Sequence, residues 1–405
     1  MMQPIRHCSI PVRETSPRRG FTLVEALLVI AIIGVMAGMS LVVLADAANS
    51  AKISRTKVQI RKINDQIMTR WEEFESRPIP FRLDTSSNSA LNNARDAARV
   101  RLCMLRAIMR MELPERMSDI IFVDSAVDPT ADVTPADLLS LTDFYFIPAN
   151  AIEVPMNTGA PFRLPARAFR NSLNDFYYQE VFRSVQVFAS VNGRNMTWGE
   201  LLSNQSAECL YLIMKSIQDE YGNALDAFAD TEIGDFDNDG LMEIHDPWGT
   251  PIAFQRWAPG LSEFGIQSTS QKISPIQSGV SQEDPDPFDP LLSDVRFFDV
   301  DYLGLPAEKV DNDSFRLVPL IYSAGPDRKF DIWTRDEFDR SAFDGGDRLV
   351  NYSFPSPELG LVNDPYWGWG LESDTVPSVG YRMDVDNNSV EEYYDNIDNH
   401  FGLED

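Results

Sequence analysis

The chain has 405 residues, with 62 acidic against 35 basic side chains and a formal net charge of −27. That length accommodates one or two hydrophobic cores, and so acidic a surface excludes nucleic-acid binding, which needs a basic face. It suits divalent cations instead. The histidines His7, His245 and His400 form no cluster for zinc or catalysis. Cys8 lies near the start, leaving Cys103 and Cys209 either to pair in an oxidising compartment or to stay free and buried.

Residues 1–20 read as a basic leader, in which Arg6, Arg13, Arg18 and Arg19 outweigh Glu14; without it the charge of −27 becomes −30. An apolar run follows, and residues 26–45 carry no charge. About twenty residues at ~1.5 Å rise make ~30 Å of helix, the hydrocarbon thickness of a bilayer. Residues 21–45 are therefore expected to span a membrane, with Arg18 and Arg19 on the cytoplasmic side and the long C-terminal part across it. Glu25 interrupts the run, and a carboxylate there is costly in lipid unless it is paired or interfacial.

The string Gly20-Phe21-Thr22-Leu23-Val24-Glu25 resembles the class III signal of type IV pilins and type II secretion pseudopilins. The resemblance implies that prepilin peptidase cuts after Gly20 and that the new Phe21 amine is methylated. It also implies that Glu25 meets the Phe21 amine of a neighbouring subunit in a helical filament. Each subunit then offers one acid and one amine, so both charges find a counter-charge away from water.

Beyond the apolar run, Ile53, Ile60, Ile63, Ile67, Trp71 and Phe74 recur at helical spacing and define one face of an amphipathic helix. Lys52, Arg55, Lys57, Arg61 and Lys62 suit a solvated or headgroup-facing surface. Pro78 and Pro80 should end the helix, so one helix is expected over residues 21–77. Gly34 and Gly38 form a G-x-x-x-G pair that allows close helix contact. Residues 78–230 read as a mainly helical insertion, with helices over 92–111, 135–141 (Thr134 as N-cap), 174–191 and 206–221. Met104, Met109, Met111 and Met117 read as core filling.

Residues 231–405 are expected to form a β head. Its first part, Asp235-Phe236-Asp237-Asn238-Asp239-Gly240-Leu241-Met242-Glu243-Ile244-His245-Asp246, sets oxygens at loop positions 1, 3, 5, 9 and 12 and a glycine at position 6. A hard cation needs such oxygens brought round it by a sharp turn. Asp235, Asp237, Asp239, Glu243 and Asp246 are thus calcium-ligand candidates. With Asp at position 12 and no strong preceding helix, the loop resembles a dockerin-type calcium loop more than an EF-hand.

Asp246-Pro247-Trp248-Gly249-Thr250-Pro251-Ile252 resembles the D-P-W-G-x-P element of major pseudopilins, and Ser323-Ala324-Gly325-Pro326-Asp327 their S-x-G-x-D. Tyr394-Asp395-Asn396-Ile397-Asp398-Asn399-His400 is similar to their closing D-D-I-x-N-W, with Asn396 in place of the second acid and His400 in place of the Trp. This resemblance implies a second calcium site held by Asp327 and Asp395, with Asp331-Ile332-Trp333 as the alternative closing element. Residues 268–290 and 336–381 read as long exposed loops, the second pinned by Tyr366-Trp367-Gly368-Trp369. Asp384-Val385-Asp386-Asn387-Asn388 is a weaker acidic loop.

Together these imply an α+β, pilin-like fold: a long N-terminal helix packed on an antiparallel sheet, with a large helical insertion. The implied role is a non-catalytic subunit of a type II secretion pseudopilus. Its implied partners are prepilin peptidase, other pseudopilins and an inner-membrane assembly platform, with the head in the periplasm. Two alternatives stay open: a type IV pilus minor pilin with a surface or adhesive role, and a singly anchored envelope binding protein.

Overall fold

The computed structural model describes residues 22–79, 94–123, 128–145, 153–154, 162–163, 171–219, 222–258, 286–291, 293–294, 316–330, 332 and 396–400. Gly20, Phe21 and Asp395 lie outside them, as do residues 268–285, 336–381 and 384–388. The helices are α1 (Leu23–Ser76), α2 (Ala94–Glu112), α3 (Leu141–Tyr145), α4 (Ser172–Asn192), α5 (Trp198–Leu201) and α6 (Gln205–Ser216). The strands are β1 (Asp132–Val133), β2 (Glu153–Val154), β3 (Phe162–Arg163), β4 (Met196–Thr197), β5 (Gln218–Asp219), β6 (Gly222–Asn223), β7 (Ile233–Gly234), β8 (Glu243–Ile244), β9 (Ala253–Gln255), β10 (Leu320–Ser323) and β11 (Ile397–Asp398). This is the mixed α+β composition expected: a long N-terminal helix with small antiparallel sheets, as in a pilin-like fold.

The chain divides into two units, Met1–Ala51 and Lys52–Asp405. In the first, the apolar side chains of α1 stand exposed, Leu23 at 82% and Ile30 at 70%. Among the described residues of that unit nothing covers this stretch, and a Cβ on Gly34 or Gly38 would meet nothing within 4 Å.

In the second unit the remaining turns of α1 are a core element. Ile60, Ile63, Ile67, Trp71 and Phe74 are all buried, in the register their spacing predicts. They share one apolar cluster with Met109 of α2, Val185 of α4, Ile213 of α6, Phe254 of β9, Ile321 of β10 and Ile397 of β11. The basic residues beside this face do more than meet solvent. Arg55 pairs with Glu232 at 2.8 Å, and Lys62 donates to the Ala227 carbonyl at 2.7 Å.

Strand β10 is the middle of an antiparallel β9–β10–β11 sheet, with Ile321 opposite Phe254 and Ser323 opposite Ile397. All four of its side chains are buried. Period-2 alternation sends Ile321 to the α1 side, while Leu320 and Tyr322 pack with Ala253 and Ile332 on the other. Asn399 ties the closing strand down: its Nδ2 donates to Asn64 of α1 at 2.9 Å, and its Oδ1 accepts from Ile321 N at 2.9 Å. Helix α6 meets β9 through Ser206, whose hydroxyl accepts from Phe254 N at 2.8 Å and donates to Phe254 O at 2.5 Å.

In the insertion, α2 forms where helix formers dominate, while α4 carries an aromatic and Val pattern and is capped by Asn171 and closed by Gly193 at φ +67°. The expected helix at 135–141 does not form. Asp137 accepts from both the N–H and the hydroxyl of Thr134, closing a turn, and the helix begins only at Leu141. Helix α6 ends at Ser216 rather than continuing to 221, because Ile217 is already extended and leads into β5.

Behind α2 lies a buried ion cluster. Arg256 is fully buried, 3.0 Å from Asp119 and 3.6 Å from Glu115, and it donates to the Leu113 carbonyl at 2.6 Å. Arg110 pairs with the same Asp119. Burial pushes the Asp119 carboxyl up, but Arg256, Arg110 and Arg116 outweigh it and hold it well below the ordinary aspartate value. A depressed carboxylate stabilises the fold at pH values above the unfolded pKa, and that stability is lost as pH falls through the folded one. Asp119→Asn should therefore cost about 3–5 kcal/mol at neutral pH by stranding buried guanidinium groups. The cost should shrink progressively below about pH 4, where the unfolded chain's aspartate takes up its proton while the native carboxylate, held lower, is still charged; thermal melts of both proteins across pH check this.

Candidate functional site

Three places bear on function: the start of α1, the turn that joins the D-P-W-G and S-x-G-x-D elements, and the acidic loop between β7 and β8. At the first, Thr22 caps the helix. Its N–H and hydroxyl donate to one Glu25 carboxylate oxygen at 2.9 and 3.0 Å, and its hydroxyl accepts from Glu25 N at 3.2 Å. This reciprocal capping box fixes the first turn and holds Glu25 with a local partner.

The second place is built on Asp246. One of its oxygens accepts from the N–H groups of Trp248 and Thr250, both at 2.9 Å. Gly249 sits at φ +85°, the left-handed conformation this tight turn needs. The other oxygen accepts from the Ser323 hydroxyl at 2.7 Å, and that hydroxyl in turn accepts from Gly325 N at 3.2 Å. The D-P-W-G and S-x-G-x-D elements, 77 positions apart at this contact, are thus joined by one buried carboxylate. Asp327 closes the second element by accepting from Lys329 N at 2.8 Å.

The acidic loop turns as a cation loop would. Asp235 accepts from the N–H groups of Asp239 and Gly240 at 3.1 and 3.0 Å. Asn238 and Gly240 take positive φ, 63° and 94°. Ser184 of α4 donates to the Asp239 carbonyl at 2.8 Å and leaves little room for a side chain at Gly240. The structure brings Asp237 and Asp239 together with Glu208 of α6, their carboxylate oxygens all within 4.8 Å of one another. Glu243 lies on β8 nearby, with one oxygen accepting from Phe236 N at 2.8 Å and standing 3.7 Å from His245 Nε2. Asp246 is instead engaged by the turn already described.

Glu208 was not a candidate from the sequence, yet a signal was there. Helix α6 buries Ala207, Cys209, Leu210, Leu212, Ile213 and Met214. A helix apolar on most of its circumference is interior, and a glutamate inside it needs a counter-group. Glu208 is 0% exposed, and neither of its oxygens has a hydrogen-bond partner. Its carboxyl is pushed well above the ordinary glutamate range, first by burial and then by the charges of Asp239, Asp237, Glu243 and Asp235. Burial and the same neighbours push Asp239 up to about 8 and raise Asp237 and Glu243. The donor set is oxygen only, matching a hard divalent cation such as calcium.

Residues 15–41 match the family model of the prokaryotic N-terminal methylation motif. No curated protein and no solved structure matches the chain. The motif supports a type IV pilin-like protein and implies processing by prepilin peptidase. It runs into α1, which is long and apolar enough near the N-terminus to cross a membrane.

Asp246→Ala would leave the Ser323 hydroxyl and two turn N–H groups without their acceptor. Each buried donor so stranded costs about 1–3 kcal/mol, so the urea midpoint should fall by the equivalent of about 3 kcal/mol with the m-value unchanged. Equilibrium denaturation of the full chain in detergent measures it.

Proposed function

We propose that this chain is a structural subunit of a type II secretion pseudopilus, anchored in the inner membrane with its head in the periplasm. Prepilin peptidase cuts after Gly20, the Phe21 amine is methylated, and the subunit enters a filament with other pseudopilins through α1 on an inner-membrane platform. The observation that carries this reading is the methylation motif leading directly into a helix whose apolar residues are exposed before Ala51 and whose later turns are core. Exposed apolar surface of that extent is tolerated only in lipid or against other helices.

Glu25 performs the electrostatic step. In the single chain its carboxylate is held by Thr22. In a filament the free amine of a neighbour's Phe21 supplies a full positive charge, and an ion pair away from water is stronger than hydrogen bonds from two uncharged donors. The work assigned is assembly, not catalysis. A secretion rather than a pilus subunit is favoured by the Asp246–Ser323 contact, because it couples the two motifs that resemble major pseudopilins.

N-terminal sequencing and intact mass of the protein from membranes test the reading, wild type beside Gly20→Ala. The wild type should begin at a methylated Phe21, and the variant should keep residues 1–20. A wild type that retains its leader overturns it. Glu25→Val should be processed normally but be lost from sheared filaments by about tenfold or more, the size of a missing ion pair of ~1.4 kcal/mol or above.

A further inference from the structure

A protein this acidic buries many carboxylates, and among the described residues the Glu208 group differs from the others in what surrounds it. Glu208 is 0% exposed with both oxygens unpartnered; Asp239 is 2% exposed with Oδ2 unpartnered; Glu243 is 0% exposed with Oε1 unpartnered. Asp237, half-buried, adds an unpartnered Oδ1. Five carboxylate oxygens from four residues therefore lack a donor, and Glu208, Asp237 and Asp239 each bring a carboxylate oxygen within 4.8 Å of the others. The charges that act most on Glu208 are carboxylates. A buried charge left in that state costs several kcal/mol.

The hydrogen bonds these residues do make orient the free oxygens. Asp239 gives its other oxygen to Leu241 N at 2.7 Å, Asp237 its other to Asn204 Nδ2 at 3.2 Å, and Glu243 its other to Phe236 N at 2.8 Å. Each loop acid thus keeps one oxygen for the backbone or a neighbour and one for the interior. Such splitting is what a ligand shell requires, since the second hydrogen bond fixes the direction of the first oxygen.

We infer that Glu208, Asp237, Asp239 and Glu243 form an interior calcium site that fastens helix α6 to the loop between β7 and β8. The loop's twelfth position, Asp246, does not complete the shell, because the turn after β8 already holds it. Glu208 takes that place from a helix before the loop, and can present both oxygens. Calcium fits better than zinc, which favours nitrogen and sulfur, or magnesium, which keeps several waters and accepts few carboxylates. The site is separate in sequence from the Asp327 and Asp395 pair, and it stands whether or not the chain is processed or assembled.

The test uses the full chain in detergent, stripped with chelator and titrated with calcium alone at pH 7.5, by equilibrium dialysis and thermal melting. Wild type at about a hundredfold excess over Kd should melt about 5 °C higher than in chelator. Glu208→Gln should bind one calcium fewer, or bind it on the order of tenfold more weakly. In chelator the same variant should melt at or above wild type, because it removes an uncompensated buried charge. Asp237→Asn, on the half-exposed side of the loop, should weaken binding in the same direction and covers the case in which Glu208→Gln fails to fold. Asp327→Asn should leave this ion in place. Wild type that binds no calcium, or variants at Glu208 and Asp237 that bind it with unchanged number and affinity, overturn the site.

Discussion

A carboxylate taken out of water must find a cation, a set of N–H donors or a proton, and that constraint organises this head. Among the described residues several acids are buried, Asp119, Glu208, Asp246 and Asp289 among them. Three kinds of solution are visible. Arginines answer Asp119, through Arg256 and Arg110, and Asp294, through Arg106 at 2.7 Å. Backbone and hydroxyl donors answer Asp246, and also Asp289, which accepts from Ser293 N, Ser293 Oγ and Asp294 N. Glu112 combines both, between Arg77 and Asn171. The charges that act most on Glu208 are those of other carboxylates, and the proposed ion would answer them.

These solutions also set which parts of the sequence depend on each other. Arg256 follows β9, yet its partners Glu115 and Asp119 lie just after α2, so the ion cluster joins the helical insertion to the head sheet. Ser206 does the same from α6 by capping the Phe254 backbone. The insertion is therefore not an appendage: Met109, Val185 and Ile213 share a core with Phe254 and Ile321. Domain limits drawn at 78–230 and 231–405 mark a change of composition, while the packing crosses that line.

Periodic features were legible in the sequence because local pattern determines them. The face Ile60, Ile63, Ile67, Trp71 and Phe74 is buried as its spacing requires, and the helix stops before Pro78. Helices α2 and α4 fall close to 92–111 and 174–191. At 135–141 the pattern misled: the segment makes a single turn, closed by Asp137 N on the Thr134 carbonyl, and the helix begins only at Leu141. The strands were harder, since most are two residues long and too short to show alternation. Glu208 was out of reach of loop-motif reasoning because its role arises only when α6 is laid beside the loop. Its one local sign, an acid in an apolar helix, names the problem but not the partner.

A cation at that point would act on the chain much as a cross-link does. It would hold position 208 to positions 237–243, closing a loop of about thirty residues. Fixing a loop of that size removes unfolded-state entropy worth roughly 3–4 kcal/mol in the chain-entropy picture. The segment so enclosed contains β5, β6 and β7, none longer than two residues and so weak on their own. It also contains Ala227 and Glu232, the groups that Lys62 and Arg55 of α1 grip. Calcium would thereby stiffen the surface against which the second half of α1 is seated. A subunit loaded with the ion would present that helix on a firmer base than one without it, linking ion availability to the rigidity of the element through which a filament would be built.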